Sequence, residues 1–150
     1  MNVDKGDTPD QHTLYAIASN TKSFTAVIIA QLVEENAINW GDKVQRCLPY
    51  FAVYDPIVSG MVSIEGLLSH NVGLGTFSGD GIRYKSTQRA EQVVRRIQYV
   101  PQAYEFRDGY DYSKLLFITA GDLIEKVTGK SFKENVTERI LKPLNRTARW

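Results

Sequence analysis

A mainly α-helical architecture is what this 150-residue sequence predicts, from three observations. Apolar residues recur at helical spacing in segment after segment. Almost nothing alternates with period two, so strands are scarce; Tyr15 to Ala18 and Met61-Val62 are the only short extended candidates. Glycine, proline and asparagine stand where the helical patterns stop. The length suits a single domain able to bury a core.

In chain order, the polar, turn-rich stretch Asp4 to Thr13 comes first. From Ser19 a helix is expected, with Phe24, Val27, Ile28, Ile29, Leu32 and Val33 on a broad apolar face, Ser19 at its start and Asn36 near its end. Its apolar circumference predicts a buried central helix. Asp42 to Leu48 is a short helix stopped by Pro49. Ser63 caps another that runs to His70, burying Ile64, Leu67 and Leu68. Residues 71 to 86 carry Gly73, Gly75, Gly79 and Gly81 and read as a loop. Ser86 to Tyr99 is amphipathic, with Val93, Val94 and Ile97 inward and Arg89, Arg95 and Arg96 outward, and Pro101 ends it. Tyr112 to Thr128 is helical through Leu115, Leu116, Ile118, Leu123, Ile124 and Val127, with Gly129 as the stop. Ser131-Phe132-Lys133-Glu134 has capping-box form and opens a last helix that Pro143 closes.

Composition narrows the function. Net charge is +1 with both signs mixed along the chain, which gives no support to a nucleic-acid partner. Cys47 is the only cysteine, so an internal disulfide and a cysteine-based zinc site are excluded; beside Val44 and Leu48 it reads as a small core residue. His12 and His70 show no ligand spacing, and no metal or organic cofactor is implied. No window reaches the ~18 consecutive apolar residues of a membrane span. The polar, acidic start M-N-V-D-K-G-D-T-P-D is unlike a signal peptide, so the chain as written reads as cytoplasmic.

The chemistry-bearing stretch is Ile17-Ala18-Ser19-Asn20-Thr21-Lys22. A serine hydroxyl needs a base to become a nucleophile, and a lysine can serve. Spacing of i to i+3 on a helix puts both side chains on one face. A serine at a helix N-terminus also sits beside backbone N–H groups suited to an oxyanion. Taken alone, the spacing is more simply a capped helix start carrying a surface lysine.

The stretch Tyr15 to Ala26, F/Y-x-I-A-S-x-T-K-x-F-T-A in form, resembles the nucleophile motif of the serine β-lactamase and penicillin-binding-protein superfamily, most of all its class C-like branch. Asn39-Trp40-Gly41-Asp42-Lys43-Val44 with Leu48-Pro49 resembles the segment that follows the nucleophile helix there. Ile64 to Gly75 resembles I-x-x-L-L-x-H-x-S-G-L, and Tyr112-Ser113 with the helix after it resembles Y-S-N-x-x-Y-x-L-L-G. Val127 to Phe132, then Ile140-Leu141-Lys142-Pro143-Leu144, resembles V-T-G-x-S-F followed by I-L-x-P-L-G-M.

The resemblance implies the helical portion of that superfamily's α+β fold, lacking most of the antiparallel sheet, with residues 1–150 as one partial domain shortened at both ends. It implies a serine hydrolase forming an acyl-enzyme on Ser19 and cleaving an amide or ester: a β-lactam, a small ester or a D-amino-acid peptide. Lys22 would take the proton and Tyr112 would activate the nucleophile or the deacylating water. His70 would be structural, holding the loop after its helix. Lys114 occupies the position of a substrate-binding asparagine, Val72 replaces a hydroxyl residue, and Asn145 stands where a glycine is usual. The last family motif, Lys-Thr-Gly or His-x-Gly on a strand, is absent. The alternative function is a non-catalytic homologue that binds or scaffolds. Expected partners are a small-molecule or peptide substrate and, through exposed apolar helix faces, a second copy. The family often works in the periplasm or outside the cell.

Overall fold

The computed structural model describes residues 4, 6, 8–10, 13, 15–84 and 87–146, and His12 and Ser86 lie outside them. The mainly helical expectation holds: among the described residues the only β pairings are two isolated bridges, Lys43 with Ser63 and Leu74 with Gln102. A 3₁₀ turn at Ala18–Asn20 leads into α1, Thr21–Glu34. Then follow α2 (Val44–Cys47), α3 (Pro56–Met61), α4 (Ile64–Leu68), α5 (Ala90–Val94), α6 (Lys114–Thr128) and α7 (Phe132–Val136).

Helix α6 is the hub, touching α1, α2, α4, α5 and α7. Its apolar stripe of Leu115, Leu116, Leu123 and Ile124 is fully buried, as are Ile28 and Ile29 of α1, Leu67 of α4 and Val93 and Val94 of α5. Gly129 ends α6 in the left-handed conformation, and the Ser131–Glu134 capping box opens α7. The chain beyond α7 widens into a π-helical turn over Thr137–Leu141. From it Arg139 reaches back to Glu35 at the end of α1 with two nitrogens, at 2.7 and 3.2 Å.

Several boundaries differ from the sequence reading. Helix α3 was not expected: Asp55 caps it by accepting from the N–H groups of Ile57 and Val58, and Pro56 sits in its first turn. Met61 is therefore its last residue rather than part of a strand, while Val62 is extended and accepts from the Val44 N–H at 3.0 Å. Tyr15 to Ile17 carry neither helix nor strand, and Ala18 opens the 3₁₀ turn. The helix expected over 86–99 is two short pieces, α5 and a 3₁₀ turn at Ile97–Tyr99. Nor is α1 covered all round, since Val27 is 47% exposed.

One polar link crosses the core. Asp122 of α6 is buried and accepts from the Tyr50 hydroxyl at 2.6 Å. Burial first, moderated by that hydrogen bond, raises the Asp122 carboxyl above its ordinary value. Arg95 lies 4.3 Å from the Tyr50 ring centroid, which ties α5 to the same point. Tyr50→Phe deletes the donor and leaves the buried carboxyl without it. Thermal or urea unfolding should show a loss of about 1–3 kcal/mol.

Candidate active site

The backbone turns sharply just before Ser19. Ala18 has φ 46°, a left-handed conformation that costs an L-residue about 1–2 kcal/mol. Ser19 does not cap the helix: no side chain caps the 3₁₀ turn or α1. Its hydroxyl instead lies 2.6 Å from the Tyr112 hydroxyl, across 93 residues of sequence. Lys22, one turn into the helix, donates to Ser19 Oγ at 3.5 Å. The ammonium also sits 4.7 Å from the Tyr112 ring centroid and 5.4 Å from that of Phe117. Three of the four candidate residues thus meet at one hydroxyl. The simpler reading, a capped helix start with a surface lysine, does not describe this arrangement.

Lys22 foremost, then the Ser19 hydroxyl, lowers the phenol of Tyr112 below its ordinary value of 10.0, and the charge on Lys114 adds a smaller push. A phenol shifted this way gives up its proton more readily and accepts one as a phenolate.

Tyr112 precedes α6 rather than starting it, so its position depends on what holds residues 110–113. That support is His70. The buried imidazole accepts from the Ser113 N–H through Nδ1 at 3.1 Å, and its ring lies 5.1 Å from those of both Tyr112 and Phe117. Its carbonyl accepts from the Tyr104 hydroxyl at 2.9 Å and the Asp111 N–H at 3.2 Å.

Burial first, and the charge of Lys22 second, depress the His70 pKa below its ordinary 6.5. A histidine with a depressed folded pKa contributes stability that is present above the unfolded value and lost as pH falls through the folded one. Protonation would also remove the acceptor for Ser113. Melting temperature should therefore decline as pH drops below about 6.5. In His70→Asn, where asparagine tolerates the φ of 58°, that decline should flatten. An equal decline in the variant would place the acid sensitivity elsewhere.

Lys114 lies in the first turn of α6 and forms an ion pair with Asp80. A cleft of about 600 Å³ opens between α1 and α6, lined by Ser19, Lys22, Lys114, Phe117, Gly121 and Phe132 among others. Its exposed lining is mostly apolar, with Arg83, Asp122 and Glu125 adding further charged groups. Among the described residues no group of His, Cys, Asp and Glu is arranged to hold a metal, and no helix is long and apolar enough to cross a membrane.

The family model for beta-lactamase matches residues 1–149. The chain belongs to the beta-lactamase family. It is 34% identical over 146 residues to the unguisins hydrolase ungD' of Aspergillus campestris, covering 91% of this chain and 27% of that protein. It is 30% identical over 149 residues to protein flp of Staphylococcus aureus, covering 98% of this chain and 30% of that one. The chain therefore spans less than a third of the length of these curated relatives.

Solved structures give the same fold. FmtA from Staphylococcus aureus superposes with a TM-score of 0.80 at 28% identity, over 96% of this chain and 39% of that one. A D-stereospecific amidohydrolase from Streptomyces gives 0.76 at 28% identity, over 87% and 42% respectively. A D-amino acid amidase from Ochrobactrum anthropi gives 0.78 at 27% identity, over 96% and 40%. This beta-lactamase-family chain thus has the helical part of the fold, and hydrolases are among its neighbours.

The sequence reading missed Asp80 and the residues around it. They lie in the glycine-rich loop, 34 residues from Lys114, where no periodicity marks a side chain's partner. The one available signal was Lys114 itself, a cation at a position that lacked an evident counter-charge.

Proposed function

We propose that this beta-lactamase-family chain carries the nucleophile, base and activating tyrosine of a serine hydrolase that works through an acyl-enzyme on Ser19. The observation that carries the reading is the convergence of Tyr112 and Lys22 on the Ser19 hydroxyl, at 2.6 and 3.5 Å. In the forward step Ser19 Oγ attacks the substrate carbonyl carbon and its proton passes to the Lys22–Tyr112 pair. The tetrahedral oxyanion is met by the Ser19 backbone N–H at the start of the helix. The carbonyl–leaving-group bond then breaks, and the departing amine or alkoxide takes the proton. Water attacks the acyl-enzyme with the same pair as its base, restoring free Ser19 and releasing the acid.

Substrates of this reading are amides or esters: a β-lactam, a small ester or a D-amino-acid peptide. The names of two hydrolase neighbours, a D-stereospecific amidohydrolase and a D-amino acid amidase, support the D-configured amide part of that range. Lys114 would serve substrate binding from the rim of the cleft, with its charge already engaged by Asp80. In this reading residues 1–150 are one unit, the helical portion of a domain whose remaining wall comes from a sheet.

The test is covalent labelling. A fluorophosphonate and a fluorescent penicillin are incubated with the chain, and the adduct is located by peptide mass mapping. The expected result is a single adduct on Ser19 with at least one probe. No adduct with either, or an adduct on another serine, overturns the proposal.

A further inference from the structure

The segment Thr76 to Asp80 runs beside Tyr112 and is fastened on both sides of it. Thr76 Oγ1 donates to Asp111 Oδ1 at 2.7 Å, and Asp80 ion-pairs with Lys114. The second oxygen of Asp80, Oδ1, is buried without a hydrogen-bond partner, so this oxygen faces the protein although the side chain as a whole is a quarter exposed. Gly79 adds a third anchor. It has φ 73°, and a Cβ there would lie 2.7 Å from Leu115 Cδ1, so its backbone is seated on the first turn of α6.

Between these anchors Phe77 takes a left-handed φ of 62°, a costly conformation for a bulky residue. Its ring meets that of Tyr112 edge-on at 6.4 Å, and the Lys114 ammonium lies 5.2 Å from its centroid. Yet Phe77 is 61% exposed. Core packing therefore does not account for its conformation, and its open face lies one ring away from the hydroxyl pair of Tyr112 and Ser19.

We infer that Asp80 and Lys114 form a clasp that holds the Thr76–Asp80 strap against Tyr112, and that the strap presents Phe77 as an aromatic wall for an apolar or aromatic substituent of the substrate. The substrate half of this inference rests on the hydrolase reading above; the clasp half does not. Asp80 and Lys114 are positioning residues in it. Lys114 contributes to substrate binding through the wall it holds in place, which gives the lysine a use that an asparagine's short amide could not supply.

Two readouts on the full chain test it. The first is amide hydrogen exchange of residues 76–82. The second is the ratio of kcat/KM for p-nitrophenyl phenylacetate to that for p-nitrophenyl acetate. Lys114→Met and Asp80→Asn should each speed exchange about fivefold and lower the ester ratio about 5–10-fold. The charge-swapped double variant, Asp80→Lys with Lys114→Asp, should bring both readouts back to within about twofold of the parent. Phe77→Ala should lose the aromatic preference while residues 79–82 stay protected. Unchanged exchange in the single variants overturns the clasp. A swap as impaired as the single variants overturns it too, because the lysine would then act by its own charge. An unaltered ester ratio in Phe77→Ala overturns the wall. If the parent hydrolyses neither ester, the hydrolase reading fails and the exchange results still decide the clasp.

Discussion

On the proposed acyl-enzyme reading, replacing Lys22 with methionine should lower the rate of Ser19 acylation by an activated ester about 10³-fold, and Tyr112→Phe should lower it by a comparable factor. Both follow from one geometry. The serine hydroxyl has one proton to lose; Tyr112 O stands 2.6 Å from it, and Lys22 Nζ donates to it at 3.5 Å. The proton acceptor in this reading is the Tyr112 phenolate, which Lys22 makes more accessible by lowering the phenol's pKa, so removing the ammonium takes away a donor and leaves Tyr112 protonated in the same step. The two substitutions therefore disable a single device, and the double variant should be no slower than either alone. Stopped-flow release of p-nitrophenol measures all three. Multiplying losses would show that Lys22 and Tyr112 act separately and would remove the pair from the mechanism. Methionine keeps the length and apolar stem of lysine, so melting temperature should change little by comparison.

Gly73→Ala is the substitution with the largest expected cost to stability. Gly73 has φ 99°, and a Cβ built there stands 2.8 Å from the backbone carbonyl oxygen of Tyr104, an atom that cannot swing aside. Left-handed strain and steric overlap together predict a loss of roughly 2–5 kcal/mol, read by urea unfolding. Gly81→Ala, eight positions along the same loop, is the control: nothing lies within 4 Å of its Cβ and no left-handed angle is required. It should fall within about 0.5 kcal/mol of the parent. The damage at Gly73 also reaches the site. Its carbonyl accepts from the Ala103 N–H at 2.9 Å, beside the Leu74–Gln102 bridge, and the His70 carbonyl accepts from Tyr104 and Asp111 a few residues away. Loosening this seam frees the support under Tyr112.

The helical character was legible because it is written locally. The apolar stripe of α6 recurs within a single helix and the capping box of Ser131 and Glu134 spans three positions, and both form as expected. Helix α3 was missed although Asp55-Pro56 is a start signal, since its six residues are too few to show a period. The stretch from 86 to 99 has helical periodicity, but the chain leaves the helix after Val94 and resumes as a 3₁₀ turn at Ile97.

The site divides along the same line. Ser19 and Lys22, three apart where the 3₁₀ turn runs into α1, could be paired from spacing. Tyr112 entered only through family resemblance, because nothing local joins it to a serine 93 residues earlier. His70 was assigned a structural role, yet not that its ring nitrogen would hold the Ser113 N–H. Asp80 and Phe77 were invisible for the same reason: a loop residue's partner is decided by where the chain brings it.

That separation has a kinetic side. Closing a 93-residue loop costs about 4 kcal/mol in chain entropy on a simple Gaussian scaling, a sum no single hydrogen bond returns. The contact between Ser19 and Tyr112 can therefore persist only after α1 and α6 have docked through their buried apolar faces. On the hydrolase reading, the serine is an ordinary alcohol until then. A newly made or refolding chain should stay chemically silent toward an acylating probe, and its first reactivity would report that the two helices had joined.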